Sequence, residues 1–205
     1  MNKKAIHVVI HNNKITMEDR NHLNGHKSYV LWLTGLSGAG KSTLAVELER
    51  ELYKRQIRSY ILDGDNIRHG LNNDLGFSPE DRQENIRRIG EVAKLFFNAG
   101  IVILSAFISP YQKDRNSVRK LFKPGAFVEI YVKCALDECE RRDPKKLYQK
   151  AHQGIIQDFT GISSPYEAPI NPELIIETDN QSLEESLQMI ITYLENNGYF
   201  NSPQG

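Results

Sequence analysis

Residues 35–42 read Gly35-Leu36-Ser37-Gly38-Ala39-Gly40-Lys41-Ser42. This run fits the phosphate-loop pattern, in which Gly, four residues and a second Gly are followed by Lys and then Ser or Thr. The apolar run at residues 29–34 predicts a strand before it, and leucines at 44, 48 and 52 mark one face of a helix after it. A chance Gly-rich turn would not require both flanks, so the pattern predicts binding of a nucleoside triphosphate.

The residue types of the loop explain what each part can do. Glycines let backbone N–H groups close around a phosphate, and the helix that follows adds the positive end of its dipole. Lys41 can reach the outer phosphates, and the hydroxyl of Ser42 can ligate Mg²⁺. A nucleoside triphosphate with Mg²⁺ is therefore the expected ligand.

The bulk properties exclude several other classes. The chain has 205 residues and a formal net charge of zero, which suits one domain with no general attraction to nucleic acid or membranes. No apolar run is long enough to span a bilayer, and the interrupted run at residues 6–11 is too short for a signal peptide. We therefore expect a cytoplasmic protein. Cys134 and Cys139 are five apart, a spacing that is poor for pairing on a helix, so both are expected to be reduced.

Apolar runs alternate with helical patterns from residue 28 onward. Strands are predicted at residues 30–34, 59–62, 101–106, 127–132 and 174–177, and helices at 41–55, 79–98, 112–121, 135–142 and 183–195. The strands are continuous apolar runs, which suits a parallel sheet covered on both faces. The alternation predicts a doubly wound α/β domain over residues 28–205, preceded by an N-terminal arm at residues 1–27.

One segment, near residues 143–172, breaks this alternation. It contains two glycines and four prolines and is too long for a simple connection. Its aromatic residues Tyr148, Phe159 and Tyr166 argue against disorder. We interpret the segment as a lid.

Acidic residues follow the second predicted strand, where an open α/β sheet places its ligands. Asp63 lies directly at the strand end, and phosphoryl transfer needs an acid near magnesium and a base near the attacking hydroxyl. Many ATPases and GTPases carry a magnesium-binding Asp at the end of a core strand. Here the third strand ends in Ser105 and Ala106, so Asp63 becomes the stronger candidate for either role. Asp65, taken alone, could only cap a short helix that ends at Gly70.

Polar residues also extend the inward face of the helix that starts with Ser78 and Pro79. Continued backwards by three or four residues, its apolar stripe reaches Asn85 and Arg82. An arginine that reaches to water is the alternative, but this position favours contact with an anionic ligand. After the third strand, Ser109 precedes a proline and by itself could be another helix cap.

Further runs occur in a fixed order after the phosphate loop: Asp63-Gly64-Asp65-Asn66-Ile67-Arg68, Asp81-Arg82-Gln83-Glu84-Asn85-Ile86-Arg87-Arg88, Phe107-Ile108-Ser109-Pro110-Tyr111, Asp158-Phe159-Thr160-Gly161-Ile162 and Tyr166-Glu167-Ala168-Pro169. With these runs the chain resembles the adenylylsulfate kinase (APS kinase) family from about residue 23 to the last helix. The resemblance implies a P-loop kinase fold and transfer of the ATP γ-phosphate to the 3′-hydroxyl of adenylylsulfate. The products would be 3′-phosphoadenylylsulfate and ADP, in sulfate assimilation.

The resemblance implies a role for each matching residue on the ATP side. The phosphates of ATP would lie on Gly35, Leu36, Ser37, Gly38, Ala39, Gly40, Lys41, Ser42 and Thr43. Lys41, Asp63 and Ser109 would take part in catalysis, and the family treats the serine at the position of Ser109 as a phosphoserine intermediate. Mg²⁺ would be held by Ser42 and Asp63. Arg141 would lie near the ATP base.

On the other side, the resemblance implies contacts to adenylylsulfate from Asp65, Arg68, Phe77, Arg82, Asn85, Ile108, Lys150 and Phe159. The arginines and the asparagine would hold the phosphosulfate end, which suits bidentate contacts to an anion. The phenylalanines would sandwich the adenine with the isoleucine nearby, and the lysine would come from the lid. The family also implies a homodimer. Lys146 stands where the family usually has Gly, so the turn there is an open question.

Three rival functions remain to be weighed. Another P-loop small-molecule kinase, acting on a sugar or nucleotide, shares the phosphate loop, but the runs at residues 63–68 and 107–111 argue against it. A GTP-binding switch needs Asn-Lys-x-Asp late in the chain, but the Asn-Lys pairs, Asn2-Lys3 and Asn13-Lys14, both precede the loop and lack the Asp. A regulatory module without catalysis would not need Lys41, Ser42 and Asp63 together.

Overall fold

The computed structural model describes residues 14–200, and one sheet of five parallel strands forms its centre. In chain order the strands are β1 Val30–Thr34, β2 Ser59–Asp63, β3 Val102–Ala106, β4 Phe127–Lys133 and β5 Leu174–Glu177. They lie in the order β2-β3-β1-β4-β5, and each neighbouring pair is parallel. The predicted doubly wound, parallel α/β fold is therefore confirmed.

The helices surround this sheet. In chain order they are α1 Met17–Asn24, α2 Lys41–Lys54, α3 Gly64–Arg68, α4 Pro79–Asn98, α5 Gln112–Arg119, α6 Leu136–Arg142, α7 Leu147–His152 and α8 Leu183–Asn196. The five predicted helices agree with α2, α4, α5, α6 and α8 to within two residues. The helix α1 lies in the predicted N-terminal arm, whose residues 1–13 are outside the described part of the chain, as are residues 201–205.

Apolar side chains form one core on each face of the sheet, as the continuous apolar strands predicted. On one face, Leu31 and Leu33 of β1 pack with residues of α2 and α8. On the other face, Val30 and Trp32 pack with residues of α4 and α5. Alternate residues of one central strand thus enter opposite cores, so β1 is held firmly on both sides.

The position of β1 decides where a ligand can bind. Its neighbours are β3 on one side and β4 on the other, so the chain leaves β1 at the point where the strand order reverses. Ligands of open α/β sheets bind outside the carboxyl ends of the strands at this point. The phosphate loop follows β1 directly and is therefore placed in the crevice by the topology.

The described helices do not include a candidate for a membrane span. Over residues 14–200, none of them combines the length and the apolar character that crossing a bilayer requires.

Candidate active site

The phosphate loop lies so close to its neighbours that two of its glycines have no room for a side chain. A Cβ on Gly35, whose φ is +152°, would lie 2.3 Å from the carbonyl oxygen of Val132 on β4. A Cβ on Gly38 would lie 3.0 Å from the carbonyl oxygen of Cys139 on α6. Gly40 precedes α2 and gives its N-terminus no side-chain cap. The first N–H groups of α2 are therefore left for an anion, as in other phosphate loops.

Lys41 lies buried under this loop, and its ammonium group is hydrogen-bonded to the loop backbone. Its Nζ donates to the carbonyl oxygens of Gly35 at 2.9 Å and Leu36 at 2.7 Å. Burial lowers the pKa of Lys41 to about 8, although the nearby acids, Asp63 among them, oppose this shift. An anion bound in the loop would therefore meet a buried cation and would favour its charged form.

The last loop residue and the end of β2 meet directly. The hydroxyl of Ser42 donates to Oδ2 of Asp63 at 2.6 Å, and Oδ1 of Asp63 accepts from the backbone N–H of Asp65 at 3.0 Å. Asp63 is thus the N-cap of α3, so the idea that Asp65 caps this helix is wrong. The helix ends at Arg68 rather than Gly70.

The donor set at this point suits Mg²⁺, which prefers oxygen ligands and usually binds through one or two protein groups plus phosphate and water. The Ser42 hydroxyl and the Asp63 carboxylate supply such oxygens. Residues 14–200 contain no cluster of three or more His, Cys, Asp or Glu side chains that could hold a metal alone. The protein groups therefore fit a magnesium ion that arrives with a nucleotide.

Arg82 and Asn85 are both buried on the inward face of α4, as the extended stripe predicted. The guanidinium of Arg82 donates to the carbonyl oxygen of Phe77 at 2.8 Å and also to Asp158 O and Thr160 Oγ1 of the lid segment. Arg82 is buried, so it does not extend into the solvent as the alternative expected. Arg82 therefore joins the start of α4 to the lid, and contact with a ligand stays a prediction.

The two predicted aromatic residues line the same cavity but differ in their surroundings. Phe77 is 57% exposed, and the guanidinium carbon of Arg68 lies 4.3 Å from its ring centroid. Phe159 is 7% exposed and makes an edge contact with Tyr148, with 4.9 Å between ring centroids. An adenine between them would meet one open ring and one ring fixed by the lid.

Ser109 lies in the turn after β3 and is only 2% exposed. Its hydroxyl accepts a hydrogen bond from Trp32 Nε1 at 3.1 Å and donates one to Thr34 Oγ1 at 2.9 Å. The helix α5 begins at Gln112 with Tyr111 at its N-cap. Ser109 is therefore not a helix cap, and its side chain is held by two residues of β1.

The lid is ordered by contacts to the phosphate loop and to α3. It contains the helix α7, which was not predicted, and the hydroxyl of Tyr148 on α7 donates to Ser37 O at 2.9 Å. Lys145 forms an ion pair with Asp65 on the opposite side. Lys146 adopts φ +54°, so the turn is kept without glycine. The segment at residues 143–172 therefore contacts both the phosphate loop and α3.

These elements enclose one large cavity of about 1430 Å³. Ligand pockets usually measure about 300–1,000 Å³, so this one exceeds the size needed for a single small molecule. Of the predicted site residues, those that line it are Ser37, Gly38, Gly40, Lys41, Ser42, Thr43, Asp63, Asp65, Arg68, Phe77, Arg82, Asn85, Ile108, Ser109 and Phe159. Gly35, Leu36 and Ala39 of the loop do not line it.

Two predicted residues lie outside the cavity wall, and a neighbour of each lines it instead. Arg141 points to solvent and pairs with Glu138, whereas Arg142 lines the cavity and donates to Thr178 O at 2.6 Å. Lys150 is exposed, whereas Lys145 lines the cavity. The sequence could have pointed to Arg142 and Lys145, because each is a basic residue in the same segment as the residue that was predicted.

The cysteines are both free and buried. Cys134 lies between β4 and α6, so the helical spacing used for the prediction does not apply to this pair. Burial, together with the neighbouring Cys134 thiol, raises the pKa of Cys139 to about 12. A protonated thiol is a poor nucleophile, which agrees with the expectation of two reduced, structural cysteines.

Comparison with known proteins agrees with the family resemblance found in the sequence. The family model described as adenylylsulphate kinase matches residues 27–177. The adenylyl-sulfate kinase of Oceanobacillus iheyensis is 59% identical over 196 residues, which cover 96% of this chain and 98% of that protein. The probable adenylyl-sulfate kinase of Bacillus subtilis is 60% identical over 191 residues, covering 93% of this chain and 96% of that protein.

Among solved structures, the APS kinase of Mycobacterium tuberculosis in complex with AMPPNP and APS superposes with a TM-score of 0.79. It is 47% identical, and the match covers 83% of this chain and 99% of that one. The fold, the phosphate loop and the sequence identity over nearly the whole length agree. The chain belongs to the adenylylsulfate kinase family.

Proposed function

We propose that the chain transfers the γ-phosphate of ATP to the 3′-hydroxyl of adenylylsulfate, giving 3′-phosphoadenylylsulfate and ADP. The observation that carries this proposal is the composition of the cavity wall. The phosphate loop, the Ser42–Asp63 pair and the buried Arg82 and Asn85 side chains all face one cavity of about 1430 Å³. A cavity of this size has room for two nucleotides side by side.

On the ATP side, the loop supplies positive charge without a flexible surface residue. The N–H groups at the start of α2 and the Lys41 ammonium are proposed to hold the phosphates. Ser42 and Asp63 are proposed to hold Mg²⁺, which when bound neutralises charge on the transferring phosphate. Arg142 is proposed to replace Arg141 near the base, because it lines the cavity beside Thr178.

On the adenylylsulfate side, the charges and rings are complementary to an anionic adenine nucleotide. Arg68, Arg82 and Asn85 are proposed to bind the phosphosulfate group through charge-assisted hydrogen bonds. Phe77 and Phe159 are proposed to stack on the adenine. One Asp63 oxygen could then orient the 3′-hydroxyl in line with the phosphate, since transfer depends mainly on positioning and electrostatics.

The lid has a further role in this mechanism, which is to exclude water. Its contacts to Ser37 and Arg82 bring the segment over the two halves of the cavity. Water that reached the γ-phosphate would compete with the 3′-hydroxyl and hydrolyse ATP. We therefore expect ATP hydrolysis without the second substrate to be slow.

One assay tests the proposed function against its rivals. ADP release would be measured with ATP and Mg²⁺ alone, and then with adenylylsulfate, common sugars or other nucleotides as acceptor. Release that depends on adenylylsulfate is expected. Release with a sugar or another nucleotide in its place would indicate a different small-molecule kinase, and binding of GTP with no acceptor-dependent turnover would indicate a switch or regulatory module.

Two further proposals rest on the sequence alone, the first on the family resemblance and the second on its apolar runs. We propose a homodimer, which light scattering coupled to size-exclusion chromatography would test. We also propose the cytoplasm as the compartment, which cell fractionation would test. Neither assignment affects the chemistry assigned above, because the groups named there come from one chain.

A further inference from the structure

Arg115 is a buried cation beside the active site whose function the mechanism above does not use. It lies on α5, is 1% exposed and does not line the cavity. Its Nε donates to Glu129 Oε1 at 2.8 Å, and its Nη1 donates to the carbonyl oxygen of Ser109 at 2.7 Å. Its Nη2 donates to Gln112 Oε1 at 2.8 Å and to the carbonyl oxygen of Glu167 at 2.6 Å. One guanidinium thus joins β4, the Ser109 turn and the end of the lid.

The end of the lid is attached to the Ser109 turn by more than Arg115. The N–H of Glu167 donates to Pro110 O at 2.8 Å, and Oε2 of Glu167 accepts from the N–H of Gln112 at 2.7 Å. The hydroxyl of Tyr166 lies 3.0 Å from Thr34 Oγ1, which also accepts from Ser109. The lid therefore returns to the core at the same turn that carries Ser109, so a shift of either segment would move the other.

The charge arrangement around Arg115 favours a role in geometry over a role in stability. Its partner Glu129 is itself buried on β4 and also pairs with Arg119 at 3.1 Å. Buried ion pairs often contribute little net stability, because desolvation offsets their attraction. They do fix direction, since a guanidinium donates in a rigid plane. The four acceptors of Arg115 are therefore held at fixed relative positions.

The backbone at Ser109 gives a second reason for such a fixed support. Its φ is +40°, in the left-handed region that residues with a Cβ rarely adopt. Strained backbone persists where surrounding contacts determine it. Here Arg115 holds the carbonyl oxygen of Ser109, while Trp32 and Thr34 hold its hydroxyl.

We propose that Arg115 is a positioning residue for the adenylylsulfate half of the site. It holds the Ser109 turn and the lid residues around Glu167 at a fixed position relative to each other. It contacts neither nucleotide. This inference rests on the proposed function, because it assigns the Ser109 turn and the lid to the second substrate. Arg115 donates no hydrogen bond to the phosphate loop, so we expect ATP binding to depend on it much less than adenylylsulfate binding does.

The test compares Arg115 with Arg119, which offers a matched control. Arg119 pairs with the same Glu129 and with Glu173. It donates no hydrogen bond to Ser109 or to lid residues 165–167. Arg115→Lys keeps the charge and loses the planar set of donors. We expect its KM for adenylylsulfate to rise about tenfold or more, because small misplacements near the reacting groups have large effects. The KM for ATP should change less than twofold.

The Arg119→Lys variant should leave both KM values within twofold of the unmodified enzyme. Equal rises in both KM values for Arg115→Lys, or the same pattern in Arg119→Lys, would overturn the proposal. If Arg115→Lys does not fold, the double variant Arg115→Gln with Glu129→Gln removes both buried charges and keeps hydrogen-bonding groups. The same substrate-selective change is expected from it, and no change would equally overturn the proposal.

A second readout needs no turnover. Trp32 is the only tryptophan of the chain and donates directly to Ser109, so its fluorescence reports on the turn. Its emission should shift in Arg115→Lys and stay unchanged in Arg119→Lys, without any substrate present. If the unmodified enzyme did not use adenylylsulfate, the proposed function would fail, yet this comparison would still show whether Arg115 positions the turn. An unshifted emission in Arg115→Lys would count against that positioning.

Discussion

The hydroxyl of Ser42 donates a 2.6 Å hydrogen bond to the carboxylate of Asp63, which joins the start of α2 to the end of β2. The other carboxylate oxygen of Asp63 caps α3. A single side chain therefore serves both the candidate magnesium position and the local fold. A substitution that tests the catalytic role of Asp63 must therefore remove its charge and keep its cap on α3.

Asp63→Asn is expected to lower the rate constant of phosphoryl transfer by about a hundredfold, the usual effect of losing one preorganised charge contact. Asn is as good a helix cap as Asp, so α3 and the melting temperature should be kept. Single-turnover transfer, ATP affinity and thermal unfolding would be measured on the same variant. Unchanged transfer would remove Asp63 from the catalytic groups, and a loss confined to stability would leave it only the capping role.

Lys41→Ala is expected to reduce turnover by about a hundredfold or more, because a cation is removed from the transferring phosphate. The fold should not suffer, since burial of the ammonium is unfavourable and its pKa is lowered to about 8 for that reason. Steady-state kinetics and circular dichroism would check this. A folded variant with nearly normal turnover would show that the loop is not the catalytic phosphate site.

The lowered pKa of Lys41 also predicts proton uptake when ATP binds. Phosphates near Nζ favour the charged form and raise the pKa, so a lysine that is partly neutral above pH 8 takes up a proton. Calorimetry of ATP binding at about pH 8.5, in buffers of different ionisation enthalpy, would measure the uptake, and Lys41→Ala should lack it. Equal proton numbers in both proteins would contradict the assignment.

The same shift has a consequence for stability without ATP. Lysine has a pKa of 10.5 when unperturbed, so between pH 8 and pH 10.5 the unfolded chain binds the proton more tightly than the folded one. The unfavourable contribution of Lys41 is therefore complete below pH 8 and is relieved as the pH rises through this window.

Much of this site could be predicted from the sequence because its signals are local. The phosphate loop with its flanks placed β1 and α2, and helix periodicity placed Arg82 and Asn85 on the inward face of α4. The strand bounds followed from runs of apolar residues. Each of these depends on residues within about one helix turn or one strand, which the sequence shows directly.

Other features depend on contacts between distant segments. One position on a helix rotates a side chain by about 100°, so Arg141, the residue that the resemblance implied, and its neighbour Arg142 point in different directions near the helix end. In the structure Arg142 lines the cavity and donates to Thr178 O, whereas Arg141 is exposed and pairs with Glu138. Arg115 was missed for the same reason, because its partners Glu129 and Glu167 lie on other elements and no local pattern marks it.

The aromatic pair offers a prediction about substrate selectivity. Phe77→Ala should weaken adenylylsulfate binding by about 1–3 kcal/mol, the range for stacking of a base on an aromatic ring, and change ATP affinity little. Phe77 is largely exposed, so its loss should not destabilise the fold. Equilibrium binding of each nucleotide would be measured.

For the second ring, Phe159→Ala should weaken adenylylsulfate by a similar amount, but Phe159 is buried against Tyr148 and its truncation also opens a cavity. Phe159→Leu is therefore the companion variant, because it keeps most of the volume and removes the aromatic face. Equal weakening of ATP and adenylylsulfate in these variants would place the rings in the core or at the ATP base instead.

The remaining prediction concerns Ser109, where the resemblance implies a phosphoserine intermediate. The structure gives its hydroxyl little freedom for that role. The single proton goes to Thr34, one lone pair accepts from Trp32, and the residue is almost fully buried. A phosphate on this oxygen would break both bonds and bring a double negative charge into a buried site, which is unfavourable without a paired cation.

Direct transfer between two bound nucleotides needs no such intermediate. We therefore expect Ser109→Ala to retain measurable activity, with a weaker adenylylsulfate interaction because the turn loses its hydroxyl contacts. A required intermediate predicts near-complete loss instead, together with phosphorylated Ser109 after mixing with ATP alone. Mass spectrometry of that mixture is the decisive measurement. A phosphoserine that passes its label to added adenylylsulfate as fast as turnover would establish the two-step route, and its absence alongside an active Ser109→Ala variant would support direct transfer.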